Sequence, residues 1–215
     1  MSKILAISLA LLLLATWPRV LRSQPAEPND GVHVGDLWVY DQTDDLTKTP
    51  INTYTSMVTD VSPKEITTSI IIRGNSGRAF VVFDHDWNRI VLNDIRFTPN
   101  DGQGIHAPLA VGKEWRSDYT SKNAQNGVAM KGSSLSKVVA QETVTTAAGT
   151  FDTFKIDRQL KEYNVADPSR FLDTEMFMWF SPQIDHWIRR SFVGKVESRV
   201  RSASTDELIK YLQKQ

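Results

Sequence analysis

The chain has 215 residues, in which 25 lysines and arginines balance 25 aspartates and glutamates, and it has no cysteine. That balance argues against nucleic acid as a partner, which a basic surface would have to recognise. Without cysteine neither a disulfide framework nor a lipid-modified amino terminus of the bacterial lipoprotein kind is expected, so the fold must be held by its own core.

Lys3 precedes a nearly unbroken apolar run from Ile4 to Ala15, ended by Trp17 and Pro18. This is the pattern of a secretory signal. The run is about a dozen residues, whereas a membrane-spanning helix needs roughly 20. Residues 1–23 are therefore expected to be a signal peptide, cleaved at Ser23 or near Ala26. Arg19 and Arg22 stand where small neutral residues are usual, and an uncleaved amino-terminal anchor is the alternative. Losing Lys3, Arg19 and Arg22 leaves 22 basic against 25 acidic residues. The expected location is the periplasm or the exterior, as a soluble protein. Residues 24–30 (QPAEPND) are polar and proline-rich, a flexible lead-in. Residues 31–215 read as one domain, and a chain of this size buries on the order of 70% of its unfolded surface.

From Gly31 onward, short runs rich in β-branched and aromatic residues alternate with turn signals, the pattern of strands rather than helices. The predicted strands are 34–41, 52–61, 66–73, 78–84 and 89–97, with Ser62-Pro63, residues 74–77 and residues 85–88 as turns. A loop at 99–104 leads to a strand ending at Tyr119, and Asn126-Gly127 suits a tight type I′ turn. The stretch 137–156 is the central hairpin, with Gly149 supplying the positive φ that its connection needs. Residues 162–169 read as a loop, 171–180 as an aromatic strand, 187–192 as its return, and 195–201 as a basic strand. Asp206 to Leu212 is open between a short helix, capped from Ser204 and Glu207, and a strand. The expected fold is all-β: a single curved antiparallel meander, half-barrel or barrel-like, with at most a short C-terminal helix.

The central hairpin, Val144-Thr145-Thr146-Ala147-Ala148-Gly149-Thr150-Phe151, resembles the V-x-V-x-A-G-x-F hairpin of exported bacterial β-proteins of the TapB-like and related domain-of-unknown-function families. Gly35, Trp38 and Tyr40 match their early glycine-x-x-tryptophan-x-tyrosine, and Trp179-Phe180-Ser181-Pro182 their late W-[FY]-[AS]-P. Thr146 departs from the usual valine or proline, and Gln183-Ile184-Asp185-His186 lacks the usual glycine. The resemblance implies a fold, not a chemistry. More distantly, the architecture is similar to the LolA and LolB carriers, which hold acyl chains in a half-barrel.

Local candidates for chemistry are few. Asp84-His85-Asp86 brings ligand types together, but on a strand neighbours face opposite ways, and carboxylates at a hairpin end usually accept turn amides; no metal is expected. His186 beside Asp185, with Ser181 nearby, has the residue types of a hydrolase but no nucleophile elbow. The pairs Gly112-Lys113 and Gly194-Lys195 lack the rest of a phosphate loop, and no cofactor is expected. Lys195, Arg199 and Arg201, on one parity of the basic strand, form a surface stripe that could meet an anionic surface or an envelope protein.

The aromatic pattern is the most informative. Leu37-Trp38-Val39-Tyr40 and Met176-Phe177-Met178-Trp179-Phe180 are apolar on both faces, so something must cover the second face: a helix, another sheet, or a hydrophobic ligand. Trp38, Tyr40, Trp115, Tyr119, Phe177 and Trp179 are the candidate cavity lining. The expected function is a non-enzymatic, exported binding or carrier protein for a hydrophobic or amphiphilic, lipid-like envelope component. The alternative is an envelope assembly or scaffold protein acting through the basic stripe or an exposed sheet edge. A hydrolase at His186 is the third class.

Overall fold

A computed structural model describes residues 31–100 and 103–214. The expected signal peptide and lead-in lie outside the described residues. Twelve strands follow in order. The first six are β1 (Leu37–Asp44), β2 (Thr49–Val61), β3 (Ile66–Ile72), β4 (Arg78–Phe83), β5 (Arg89–Leu92) and β6 (Ile95–Thr98). The others are β7 (Glu114–Asn123), β8 (Ala129–Thr146), β9 (Gly149–Asn164), β10 (Asp167–Ser181), β11 (His186–Val196) and β12 (Arg199–Leu212). Each pairs antiparallel with its sequence neighbours, and β1 pairs with β12 from Leu37↔Leu212 to Asp44↔Ser204, so the meander is a closed barrel. A wholly antiparallel ring closes only with an even number of strands.

Alternation decides which residues fill the barrel. In β7, Trp115, Ser117, Tyr119 and Ser121 are buried and their neighbours exposed or half-buried, and in β8 the buried series is Gly132, Ser134, Ser136, Val138. The central hairpin forms as expected: β8 and β9 pair from Met130↔Asn164 to Thr146↔Gly149, with φ +137° at Gly149. Beyond a bulge at Val138/Ala140 its tip leans back over the barrel end, where Phe151 meets the Tyr211 ring at 5.7 Å.

Several expectations are corrected. The strand expected over 89–97 is two, because Asn93 (φ +49°) and Asp94 turn the chain between β5 and β6. Asn126-Gly127 is not a two-residue turn: only Gly127 takes positive φ, and the Asn123 and Asn126 side chains accept amides within a five-residue loop. Residues 162–169 are not a loop; the polar alternation continues through β9 and β10 with a turn at Val165-Ala166. The basic strand 195–201 is broken at Glu197 and Ser198 (φ +52° and +61°), which turn β11 into β12. Asp206 to Leu212 lies in β12, and no helix occurs among the described residues. A closed ring also leaves no open sheet edge, one of the two surfaces through which the scaffold alternative could act.

The two barrel ends differ. One end carries six hairpin turns, and apolar side chains are exposed there at Leu46, Ile72, Val128, Val165 and Val200. The other is closed by a floor. Trp38, wholly buried, stacks on His186 at 3.9 Å and 9°, and meets the Trp87 edge at 5.9 Å. The β6–β7 connection completes this floor by entering the interior. The Gly104 amide donates to Asn88 Oδ1 and the Ile105 amide to the Asp86 carbonyl, both at 2.6 Å. A Cβ on Gly104 would sit 1.9 Å from the Asp86 carbonyl oxygen, so only glycine permits this approach.

Candidate functional site

Above the floor the barrel encloses a cavity of about 470 Å³, within the range that holds a small ligand. Trp87, Ile105 and Trp187 form its base, and Ile70, Leu92, Met176, Met178 and Phe192 much of its apolar wall. Its polar groups come from eight strands and the β6–β7 connection, and three arginines dominate them.

Arg158 reaches inward from β9 because it shares the parity of buried Ile156. Its Nε donates to Ser136 Oγ at 2.8 Å, its Nη2 to the Gly104 carbonyl at 2.9 Å, and its Nη1 to the Gln103 carbonyl. All three acceptors are neutral. Burial, reinforced by Arg89 and Arg190, pushes its pKa down to about 10. Its job is to hold the floor segment.

Arg190 points inward from β11, opposite Met178 on β10 and Asp206 on β12. Its Nη2 donates to Asp206 Oδ2 at 2.9 Å and to the Tyr54 hydroxyl at 3.1 Å, and its guanidinium lies over the Trp187 ring at 4.2 Å. Asp206 Oδ2 also accepts from the Tyr54 hydroxyl at 2.9 Å, and its Oδ1 accepts from Gln42 Nε2 at the same distance. Burial raises the Tyr54 pKa far above the ordinary phenol range, so this hydroxyl remains a donor.

Arg89 is placed by a bulge at Val82/Phe83, which lets both Arg89 and Leu92, three residues apart, face the interior with Phe83 and Val81. Among the described residues its Nε is buried without a partner, and its contact is with the Phe97 ring at 5.2 Å. Burial and then the Arg190 charge lower its pKa. Beside it, Tyr119 crosses over Gly132 to donate to Glu162 Oε1 at 2.6 Å. A Cβ on Gly132 would lie 2.2 Å from the Tyr119 ring, so the missing side chain is what lets the ring lie there.

Of the candidate lining residues, Tyr119 lines this cavity. Trp38 and Tyr40 are buried inside the barrel but below it, in the floor, and Trp115 is buried against His106 at 5.4 Å. Phe177 and Trp179 fall on the parity opposite to buried Met176, Met178 and Phe180 and lie outside the barrel. Charged side chains cover that second face: Lys155 sits over both rings at 4.9 and 4.8 Å, Arg189 lies 5.7 Å from Trp179, and Trp179 Nε1 donates to Glu142 at 2.5 Å. The basic stripe is divided. Lys195 binds Glu175 at 2.6 Å on β10, while Arg199 and Arg201 are exposed on the far side of the β11–β12 turn.

His186 is a core residue. Its Nδ1 lies 2.6 Å from the Tyr40 hydroxyl, which donates to the Trp187 carbonyl at 2.9 Å; Nδ1 therefore carries the proton, and Nε2 has no partner among the described residues. Burial and then the Arg190 charge hold its pKa well below the ordinary range, so the ring is neutral. Ser181 faces it across β10 and β11, yet the imidazole is engaged with Tyr40 and packed between Trp38 and Trp187. Asp84 accepts the Asp86 and Asn88 amides and the side-chain amides of Asn88 and Asn100, and His85 Nε2 contacts the Ser62 carbonyl at 2.8 Å. No group of three or more potential metal ligands occurs among the described residues.

Sequence reasoning missed the arginines. Two carried a signal: Arg158 sits between Ile156 and Leu160, and Arg190 between Ile188 and Phe192, each a cation on the apolar parity of its strand. Arg89 did not, because its orientation depends on the bulge.

No protein-family model matches the chain and no curated protein matches it, so the TapB-like resemblance rests on the hairpin and its flanking residues alone. Solved structures do match. A provisionally assigned lipoprotein from Parabacteroides distasonis superimposes with a TM-score of 0.56 at 14% identity, covering 85% of this chain and 97% of its own. A provisionally assigned exported protein with a YmcC-like fold from Bacteroides fragilis has the same score and identity, covering 85% of this chain and 98% of its own. At such identity the likeness is one of fold: an antiparallel β-barrel architecture shared with proteins described as exported or as lipoproteins.

Proposed function

We propose that the protein is a non-enzymatic binding or carrier protein of the cell envelope that holds a hydrophobic or amphiphilic component inside its barrel. The observation that carries this reading is the cavity itself: about 470 Å³, walled largely by apolar side chains and closed below by a packed aromatic floor. A ring of twelve strands is wider than the eight-stranded barrels whose interiors side chains just fill, which leaves room for a ligand above the floor. The apolar side chains exposed at the hairpin turns give a lipid-like ligand apolar surface along its way in. Export and an envelope location are supported by the signal-like amino terminus and by the descriptions of the matched barrels.

Native mass spectrometry of the mature protein, purified without detergent from the exported fraction, tests this directly. The expected result is a stoichiometric adduct that solvent extraction recovers as a hydrophobic molecule, and that is lost in Thr174→Trp, which fills the cavity from β10. A clean apo mass from that fraction counts against the carrier reading.

A further inference from the structure

The interior charges do not balance within the barrel. Three guanidiniums face the cavity, from Arg89, Arg158 and Arg190, and they lie within electrostatic reach of one another. Two carboxylates accompany them. Asp206 is committed to Arg190, Tyr54 and Gln42, and Glu162 accepts from Tyr119. Arg158 has its three neutral acceptors. Arg89, by contrast, has a buried Nε without a hydrogen-bond partner among the described residues, and the nearest carboxylate to offset its charge, Glu162, is already taken up by the Tyr119 hydroxyl. A largely buried cation without a direct counter-ion is costly for a fold to carry.

Topology shows where a partner would lie. In the ring of twelve strands, β5 and β11 are six places apart, so Arg89 and Arg190 stand on opposite walls with β9 and Arg158 between them. An anion meeting Arg89 would sit near the barrel axis, with apolar Ile70, Leu92 and Phe192 around it for the rest of the molecule. Resting on the carrier reading, we infer that the cavity selects ligands bearing one anionic group, a carboxylate or a phosphate, and that Arg89 is the residue that binds it. The guanidinium fork suits both groups, and a single negative charge neutralises the excess cation.

Four probes of equal chain length test this on the delipidated protein, below their micellar concentrations: laurate, dodecyl phosphate, dodecanol and dodecyltrimethylammonium. Trp87 and Trp187 line the cavity, so their fluorescence reports binding. One or both acids should bind about tenfold or more tighter than dodecanol, with the quaternary amine weakest, and the stronger acid identifies the head group. Arg89→Met should bring acid and alcohol within about twofold of each other, chiefly by weakening the acid, and raise the thermal midpoint, since it removes a buried charge without a direct counter-ion. Arg89→Lys should keep part of the preference. Equal binding of acid and alcohol by the wild type would overturn the inference while leaving the cavity reading intact. A preference that survives Arg89→Met would overturn the role of Arg89, and failure of all four probes would overturn the inference and the carrier reading together.

Discussion

The lower and upper halves of this barrel are built on the same strands and read with the same alternation, yet they carry opposite chemistry. One inward step along four strands changes the layer: Ile156 to Arg158 on β9, Ile188 to Arg190 on β11, Leu208 to Asp206 on β12, and Val138 to Ser136 on β8. Below the step the interior is packed and aromatic, and even its histidine is neutral. Above it, guanidiniums, phenols and carboxylates share an unfilled chamber. Stability and binding are thus separated by layer, and substitutions in the two layers should have different signatures.

The largest effect is expected in the floor. Trp38→Ala removes a wholly buried indole and the face on which His186 stacks, and should cost about 3–5 kcal/mol, measured as a lower urea midpoint. Arg158→Met comes next. It strands Ser136 and two loop carbonyls, and a loss of about 3 kcal/mol is expected, with faster proteolysis around Gly104. The contrast with Arg89→Met, which should stabilise, would show that arginines in one layer serve different ends.

Acid response is a finer probe. His186 has its pKa lowered by burial, so below pH 6.5 the unfolded chain takes a proton that the folded one refuses, and stability falls as pH falls. Asp185, raised by burial to about 6 from 3.8, acts in the opposite sense, and its contribution is lost as pH rises from 3.8 to 6. The two offset each other in that window. Asp185→Asn, at a position with φ +45° that asparagine tolerates, should therefore be more stable than wild type above pH 6 and lose stability more steeply on acidification, by at most about 1.4 kcal/mol per pH unit. Urea midpoints across pH would show whether the slope steepens. The smallest effect belongs to the outer wall. Trp179→Ala should cost about 1 kcal/mol or less and leave the mass of any bound adduct unchanged.

Much of this was legible in the sequence. The strands over 66–72 and 78–83, and the central hairpin with its Gly149 turn, follow from β-branched runs and turn residues, and they are where local preference and tertiary pairing agree. The candidate site was legible only in part. Residues were chosen for aromatic character, which picked Trp38 and Tyr40 from the floor and Phe177 and Trp179 from the outside, because a strand apolar on both faces does not say which face turns inward. Parity anchored on a neighbour such as Ile156 would have pointed to Arg158. Tyr119 was picked by the same aromatic criterion and does line the cavity, though its reach depends on Gly132 on the next strand, and nothing local predicts Arg89, whose direction depends on a bulge.

The pairing of the first strand with the last has a kinetic consequence. Leu37 and Leu212 are neighbours in the sheet although nearly the whole domain lies between them, and Asp36 ties the two ends by accepting the amides of His33 and Lys214 at 2.8 and 2.6 Å. The ring cannot shut until that longest-range contact forms, so its entropy must be lost before the interior is sealed. Until then β1 and β12 are open edges on a curved sheet whose floor is uncovered, the state in which such a chain is most prone to pair with copies of itself.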